Sequence, residues 1–268
     1  MGRYRKWVFR FDGQRFRRYG PDEGLPREVI VSLGEAPDGS VLAGCRAGIY
    51  YLQGDHFAKL ALPGGGSVGS YSGIQSDSKG RTYITTERGL VVATNAIGGG
   101  KPDFRLLPAP AGAGGPDAHG VFIESSAVWY GCGGSLCRMT TDGVTVFGTQ
   151  DGLPPGRWTC IRREGSRDLW VNDKRRFAVL RPGCARFDAS GTSFPPTAGG
   201  GQLAVDTDGR LLVPTIEGLL VVDRRHPRQV GKREGLRAPV YSVLQDREGS
   251  IWLGLAGRGL ARWQGYSE

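Results

Sequence analysis

Short apolar runs of strand type recur along this chain at one spacing, and that spacing restricts the folds open to it more than any other feature. Residues 235 to 265 show the unit. VYSVL, SIWLGL and GLARW are each five or six residues, rich in β-branched or aromatic types, and are separated by DREG and AGRG. Apolar runs of that length between acidic or Gly-rich turns read as three antiparallel strands joined by tight turns. The residues at the head of each third run are Gly48, Gly89, Ser135, Arg176, Gly218 and Gly259, with gaps of 41, 46, 41, 42 and 41. A further marker falls at Lys6, before WVFRF and 42 residues ahead of Gly48.

Upstream of each marker stands a run aligned with SIWLGL: SVLAGC, RTYITT, AVWYGC, DLWVND and RLLVPT. Upstream again stands one aligned with VYSVLQD: VIVSLGE, YSGIQSD, GVFIESS, WTCIRRE and QLAVDTD. A fourth run follows the third in HFAKLA, FRLLPA, VTVFGT, ARFDAS and PRQVG. A strand-only unit of this length is that of a four-stranded propeller blade, and one such meander cannot bury both its faces without neighbours of its own kind. The expected fold is an all-β propeller in a single domain, 1-268, with six blades over 24-61, 71-109, 120-149, 158-189, 201-232 and 240-265. No fourth run follows the sixth third run, and RFRRYG at 15 to 20 matches it in type. Pairing of 15 to 20 with 260 to 264 would close the last blade and remove open sheet edges that invite aggregation. The alternative is seven blades, with 7 to 11 and 15 to 20 as an incomplete extra one.

Composition agrees with many tight turns. Gly fills 45 positions, about twice its usual share of roughly 7%. Sustained helical spacing of apolar residues is hard to find. No apolar stretch approaches the roughly 18 residues of a membrane span, and MGRYRKWVFRF is basic without a following apolar region, so neither membrane insertion nor an export signal is expected.

GLRAPVYSVLQDREGSIWLGLAGRGLARWQG at 235 to 265 resembles the repeat of the two-component regulator propeller family, whose pattern runs roughly GLP-x-x-x-V-x-S-I-x-x-D-x-x-G-x-L-W-I-G-T-x-x-G-L-x-R. It recurs as GLPREVIVSLGEAPDGSVLAGCRAGIYYLQG at 24 to 54 and more weakly as GLPPGRWTCIRREGSRDLWVNDKRRFAVL at 152 to 180. The resemblance implies a sensor β-propeller of the kind found outside the membrane in hybrid histidine kinases, without catalysis of its own. Two copies depart from the pattern: the third has ESSA where the acidic Gly turn belongs, and the fourth has DKRR in place of the Gly-rich turn, which suggests that these turns serve something other than generic turn chemistry.

The turns PDGS (37 to 40), SDSKG (76 to 80), DTDG (206 to 209) and DREG (246 to 249) place Asp two or three residues before Gly. A calcium loop needs about six to eight oxygen ligands and a distal Glu, which none of them offers, so they read as hairpin turns. Five cysteines, Cys45, Cys132, Cys137, Cys160 and Cys184, cannot all pair within the chain. Cys132 and Cys137 flank one tight turn and are placed to bridge if the chain is exported; Cys45 and Cys160 read as small buried side chains. Trp170 and Trp252 read as packing between blades. The three histidines are dispersed: His56 and His226 fall on outer strands, and His119 precedes a first strand and reads as a surface residue. The lyase propellers that open cyclic antibiotics would need a His and Glu constellation around a divalent metal. No such set, no nucleophile motif and no cofactor motif is present, so neither enzyme activity nor a metal or cofactor is expected.

Charge points to the sign of a partner. Lys and Arg number 35 against 26 for Asp and Glu, a net +9. In a propeller the turns between second and third strands share a face with the loops between blades. That face would carry Arg46, Arg88, Lys174, Arg175 and Arg258 on turns, with Tyr71, Trp158 and Arg237 on inter-blade loops. These residues are the candidate ligand- or partner-binding site, suited to a small anion, an acidic glycan or an acidic protein surface. The plainer reading is that exposed turns are simply solvated. Nucleic acid is not expected, since no element interleaves Arg and aromatics in a stripe. Three functions remain: a non-catalytic sensory or recognition module, a structural subunit of a larger assembly, and as a minority reading a metal-dependent lyase. An exposed apolar patch beside GRYRKW would favour assembly, and a deep polar pocket at the ring centre would favour ligand sensing.

Overall fold

The computed structural model describes residues 7–94, 102–173, 176–189, 197, 202–223 and 226–263, and contains two compact units, Met1–Val146 and Phe147–Glu268. Among the described residues regular structure is all β apart from three-residue 3-10 turns. The fold is a β-propeller with six blades.

The first unit opens with a hairpin, β1 (Val8–Phe11) and β2 (Phe16–Tyr19). Three four-stranded antiparallel blades follow. They are β3 (Ser32–Glu35), β4 (Val41–Cys45), β5 (Gly48–Gln53) and β6 (His56–Leu60); β7 (Ile74–Ser76), β8 (Thr82–Thr86), β9 (Gly89–Ala93) and β10 (Phe104–Leu107); and β11 (Ala118–Ile123), β12 (Val128–Cys132), β13 (Ser135–Thr140) and β14 (Gly143–Phe147). In the second unit β15 (Cys160–Arg163), β16 (Leu169–Asn172) and β17 (Phe177–Leu180) form a three-stranded sheet, and a bridge from Val179 to Asp188 marks its outer position. β18 (Ala204–Val205), β19 (Leu211–Thr215), β20 (Gly218–Asp223) and β21 (His226–Val230) make a four-stranded blade. The last sheet has β22 (Val240–Gln245), β23 (Ile251–Leu255) and β24 (Gly259–Trp263).

The markers read from sequence open their strands: Gly48, Gly89, Ser135, Gly218 and Gly259 are the first residues of β5, β9, β13, β20 and β24, and Arg176 directly precedes β17. Lys6 lies outside the described residues. The segments 7 to 11 and 15 to 20 pair with each other, Val8 opposite Tyr19 and Phe11 opposite Phe16, and a pairing of 15 to 20 with 260 to 264 is not among the registers of the described residues.

Strand alternation explains the packing. In β5 and β9 successive side chains point to opposite faces. Ile49 therefore meets Ile84, Val91 and Ala93 of the next blade, while Tyr50 packs with Val8 and Tyr19. Tyr83, Leu90 and Val92 in turn meet Val121, Val128 and Tyr130. The second unit repeats this with Leu219 and Val221 against Val243, Ile251 and Leu253. Each such buried side chain contributes about 1.5–3 kcal/mol, so stability rests on blade-to-blade contacts rather than on any single sheet.

The strand-two aromatics have a second role. Trp129 donates its indole N–H to Glu124 (2.8 Å), Trp170 to Glu164 (3.2 Å) and Trp252 to Asp246 (2.7 Å). Glu124 thus does in the third copy what the turn Asp does in the sixth. The ESSA turn has kept the acceptor function while losing the Asp-Gly spelling. Cys132 and Cys137 form a disulfide, Cys45 and Cys160 are buried, and Cys184 is exposed.

Candidate functional site

One turn motif occurs three times, G-x-x-[DE]-G-L, at 20 to 25, 148 to 153 and 231 to 236. Each copy folds as a 3-10 turn, Pro21–Glu23, Thr149–Asp151 and Lys232–Glu234, ended by a left-handed Gly at φ 87, 80 and 88. The acidic residue reaches back to the first Gly: Gly20 donates to Glu23 (2.6 Å), Gly148 to Asp151 (2.9 Å) and Gly231 to Glu234 (2.8 Å). That N–H holds the Glu234 carboxyl below its ordinary value. The first two copies continue with Pro26 and Pro154, whereas the third continues with Arg237.

At the third copy the loop borders a cavity of about 630 Å³. Its other wall is the β19–β20 turn, where Thr215 Oγ accepts from the Glu217 N–H (3.2 Å) and donates to the Gly218 carbonyl (3.0 Å), turning Ile216 and Glu217 outward. Leu236, Ala238 and Pro239 give it apolar surface, and Lys232, Arg233 and Arg237 give it three cations. Its two carboxylates are Glu217 and Glu234, the latter accepting the Gly231 N–H and lying in the field of Arg233, so three positive charges stand against two negative ones. The site is suited to a ligand that joins an anionic group to an apolar body. Ala256 donates to the Pro239 carbonyl (2.9 Å), which ties the turn carrying Arg258 to this loop.

The sequence-predicted residues divide accordingly. Arg237 lines the cavity, and Arg258 is exposed on the adjoining turn. In the first unit Arg46 and Arg88 are exposed on equivalent turns, but acids accompany them: Glu28 accepts the Ala47 N–H (3.0 Å), and Glu87 accepts the Ser67 hydroxyl (2.9 Å). Tyr71, at φ 54, is half-buried and donates its N–H to Val31 (3.2 Å). Lys174 and Arg175 lie outside the described residues. Trp158 corrects the expectation: it is 0% exposed, beneath the Arg176 guanidinium, 5.7 Å from its ring centre, and that arginine is fastened by Asp173 and the Pro155 carbonyl (2.7 Å). An indole so placed is core and offers no contact to a partner. His119 is also corrected, since it lies within β11 at 2% exposure with Nε2 3.1 Å from Asp117 Oδ2. The cause is that β11 begins earlier than the apolar run suggests. Among the described residues no three His, Cys, Asp or Glu side chains come together to hold a metal ion.

Lys232, Arg233, Ile216 and Glu217 were missed by the sequence reading. The signal was present in the third copy of the turn motif, which alone carries Lys-Arg inside it and Arg in place of Pro.

No known family model matches the chain, and no curated protein sequence matches it. Solved structures do match in fold. The extracellular domain of the hybrid two-component system BT3049 from B. thetaiotaomicron aligns over 92% of this chain with a TM-score of 0.72 and 14% identity; the chain spans 35% of that protein. A catalytically inactive virginiamycin B lyase from Staphylococcus aureus, solved with quinupristin, aligns over 96% of this chain and 87% of its own, with a TM-score of 0.69 and 14% identity. PorZ, a surface component of the type-IX secretion system of Porphyromonas gingivalis, aligns over 96% of this chain and 42% of its own, with a TM-score of 0.69 and 13% identity.

Proposed function

We propose that this chain is a non-catalytic recognition propeller that binds an anionic ligand, an acidic glycan or an acidic protein segment through a basic loop face. The observation that carries this is the cavity beside the third turn motif, where Lys232, Arg233 and Arg237 surround an apolar wall. Three exposed cations converging on one cavity attract an anion together, more than a single isolated surface charge does, and that attraction weakens as salt screens it. The fold likeness to extracellular sensor domains supports a sensory setting, and the likeness to virginiamycin B lyase keeps a lyase as the minority reading.

Hexaglutamate and a sulfated hexasaccharide are the probes. Binding to the wild-type chain should weaken at least tenfold on Lys232→Glu with Arg237→Glu, and should weaken with added salt. Equal binding by the double variant, or metal-dependent turnover of a cyclic antibiotic, would overturn the reading. A structural role in an assembly is favoured by a separate observation, the exposed aromatic side chains of β1 and β2.

A further inference from the structure

The first and third copies of the turn motif are entered in one register. Val8 stands opposite Tyr19 directly before Gly20, and Leu219 stands opposite Val230 directly before Gly231. Trp7 in the first copy therefore corresponds to Gly218 in the third, and Arg18 to Gln229.

An aromatic ring fills the first copy. The Trp7 indole lies so close on Gly20 that a Cβ there would come within 1.9 Å and 2.2 Å of two ring carbons, and the Arg18 guanidinium covers the ring 4.4 Å from its centre. Gly20 is glycine because the ring takes the place of a side chain. The third copy keeps the glycine and has no such ring. Gly218 carries no side chain, and a Cβ on Gly231 would meet only the Glu217 carbonyl oxygen at 3.0 Å and Gln229 Cγ at 4.0 Å. Glu217, Gln229 and Gly231 all line the cavity.

A hydrogen-bond acceptor stands beside this space. Among the described residues the Glu217 carboxylate, on an exposed turn, enters no hydrogen bond or ion pair. Elsewhere the chain gives indole N–H groups to carboxylates: Trp129 to Glu124, Trp170 to Glu164 and Trp252 to Asp246.

Resting on the reading of this cavity as an anion site, we propose that its ligand is an aromatic carboxylate whose ring is an indole. The ring lies on the backbone at Gly231 as Trp7 lies on Gly20, with Ile216, Leu236 and Pro239 as its apolar surroundings. Its N–H donates to Glu217, and its carboxylate meets Lys232, Arg233 and Arg237. The volume of about 630 Å³ suits a ligand of that size, since small-molecule pockets run to roughly 300–1,000 Å³. A glycan would set hydroxyls against the apolar wall, which disfavours it. The same chemistry is offered by a free indole acid and by a peptide that ends in tryptophan.

Indolepropionate and N-acetylated Gly-Gly-Trp are the probes for these two sources, titrated calorimetrically into the whole chain. The tighter of the two identifies the source. Indolepropionate should bind about tenfold more tightly than its uncharged amide and about fivefold more tightly than phenylpropionate, which lacks the N–H. Glu217→Ala should erase that preference for indole over phenyl, whereas hexaglutamate, relieved of a repelling charge, should bind more tightly. Lys232→Glu with Arg237→Glu should abolish binding of both indole probes. All three side chains are exposed, so circular dichroism should stay unchanged in these variants. If hexaglutamate binds and neither indole probe does, the indole assignment fails and the anion site stands; if nothing binds, both fall. Equal binding of cyclohexylpropionate would overturn the flat ring, and a preference for indole that survives Glu217→Ala would overturn the N–H contact.

Discussion

The indole N–H of Trp170 donates to Glu164 Oε2 at 3.2 Å, across a turn whose two residues are both nearly excluded from water. The carboxylate thereby organises the turn between first and second strands and satisfies a buried donor at once. Glu164→Ala should leave the Trp170 donor stranded and lower unfolding free energy by about 1–3 kcal/mol. Trp170→Phe combined with it should cost less than the sum of the two single changes, because the donor is then gone. Urea unfolding of the four proteins checks this, and additive losses would show that the bond contributes nothing.

Acid should loosen the same class of turn. The Asp246 carboxyl is held below its ordinary value by the Trp252 indole and by the N–H groups of Ser250 and Glu248. Burial acts to raise Asp77, but the N–H and guanidinium of Arg81 prevail and lower it. Groups more acidic when folded contribute fully above the unfolded carboxylate value of about 4 and lose that contribution as pH falls through the lowered value. Melting temperature should be insensitive to these two groups from pH 8 to 5 and should fall below about pH 4. Asp246→Asn should flatten that fall; an unchanged pH profile would remove Asp246 from the cause.

The fold was legible because a strand repeat leaves its period in the spacing of Gly and apolar runs, and Gly48, Gly89, Gly218 and Gly259 begin their strands as read. The site was less legible. Arg237 was found because it stands on a loop, but Trp158 was placed with it on loop position alone, and position does not reveal which way a side chain turns. Lys232 and Arg233 escaped because a cavity forms between two segments, β19–β20 and the loop after β21, that no linear pattern brings together.

Thiol chemistry should separate the five cysteines. Burial raises the Cys45 and Cys160 thiols, so their reactive thiolates are scarce at neutral pH, while Cys184 is exposed. Native protein should take up one equivalent of a thiol reagent, at Cys184, and two more on unfolding without reductant. Reducing Cys132–Cys137, five residues apart, should lower stability by about 2 kcal/mol on the loop-entropy relation. Labelling of Cys45 in the native state would contradict the packing of the first blade.

Two glycines in equivalent turns should respond differently to substitution. A Cβ on Gly152 would collide with the Phe187 carbonyl, whereas one on Gly235 would meet nothing within 4 Å. Both have left-handed φ, so Gly235→Ala should cost only the conformational strain of about 1 kcal/mol, and Gly152→Ala that strain plus displacement of the Phe187 backbone. Equal losses in thermal unfolding would mean that the close approach to Phe187 carries no weight.

Arg237→Pro offers the cleanest separation of charge from fold. The first two turn motifs carry Pro26 and Pro154 where the third carries Arg237, and all three copies share one backbone, with the same acidic cap and the same left-handed Gly. Proline therefore suits the local conformation, and by restricting the unfolded chain it should leave stability unchanged or raise it by up to about 1 kcal/mol. The cavity, however, loses one of its three cations. Hexaglutamate should then associate more slowly and with a shallower salt dependence, because fewer charges are screened over the Debye length of about 8 Å at physiological ionic strength. Arg46→Glu in the first unit is the paired control and should leave this rate within about twofold. If Arg237→Pro is stable and binds as the wild type does, or if Arg46→Glu slows binding equally, the attraction comes from net charge and the cavity has no part in it.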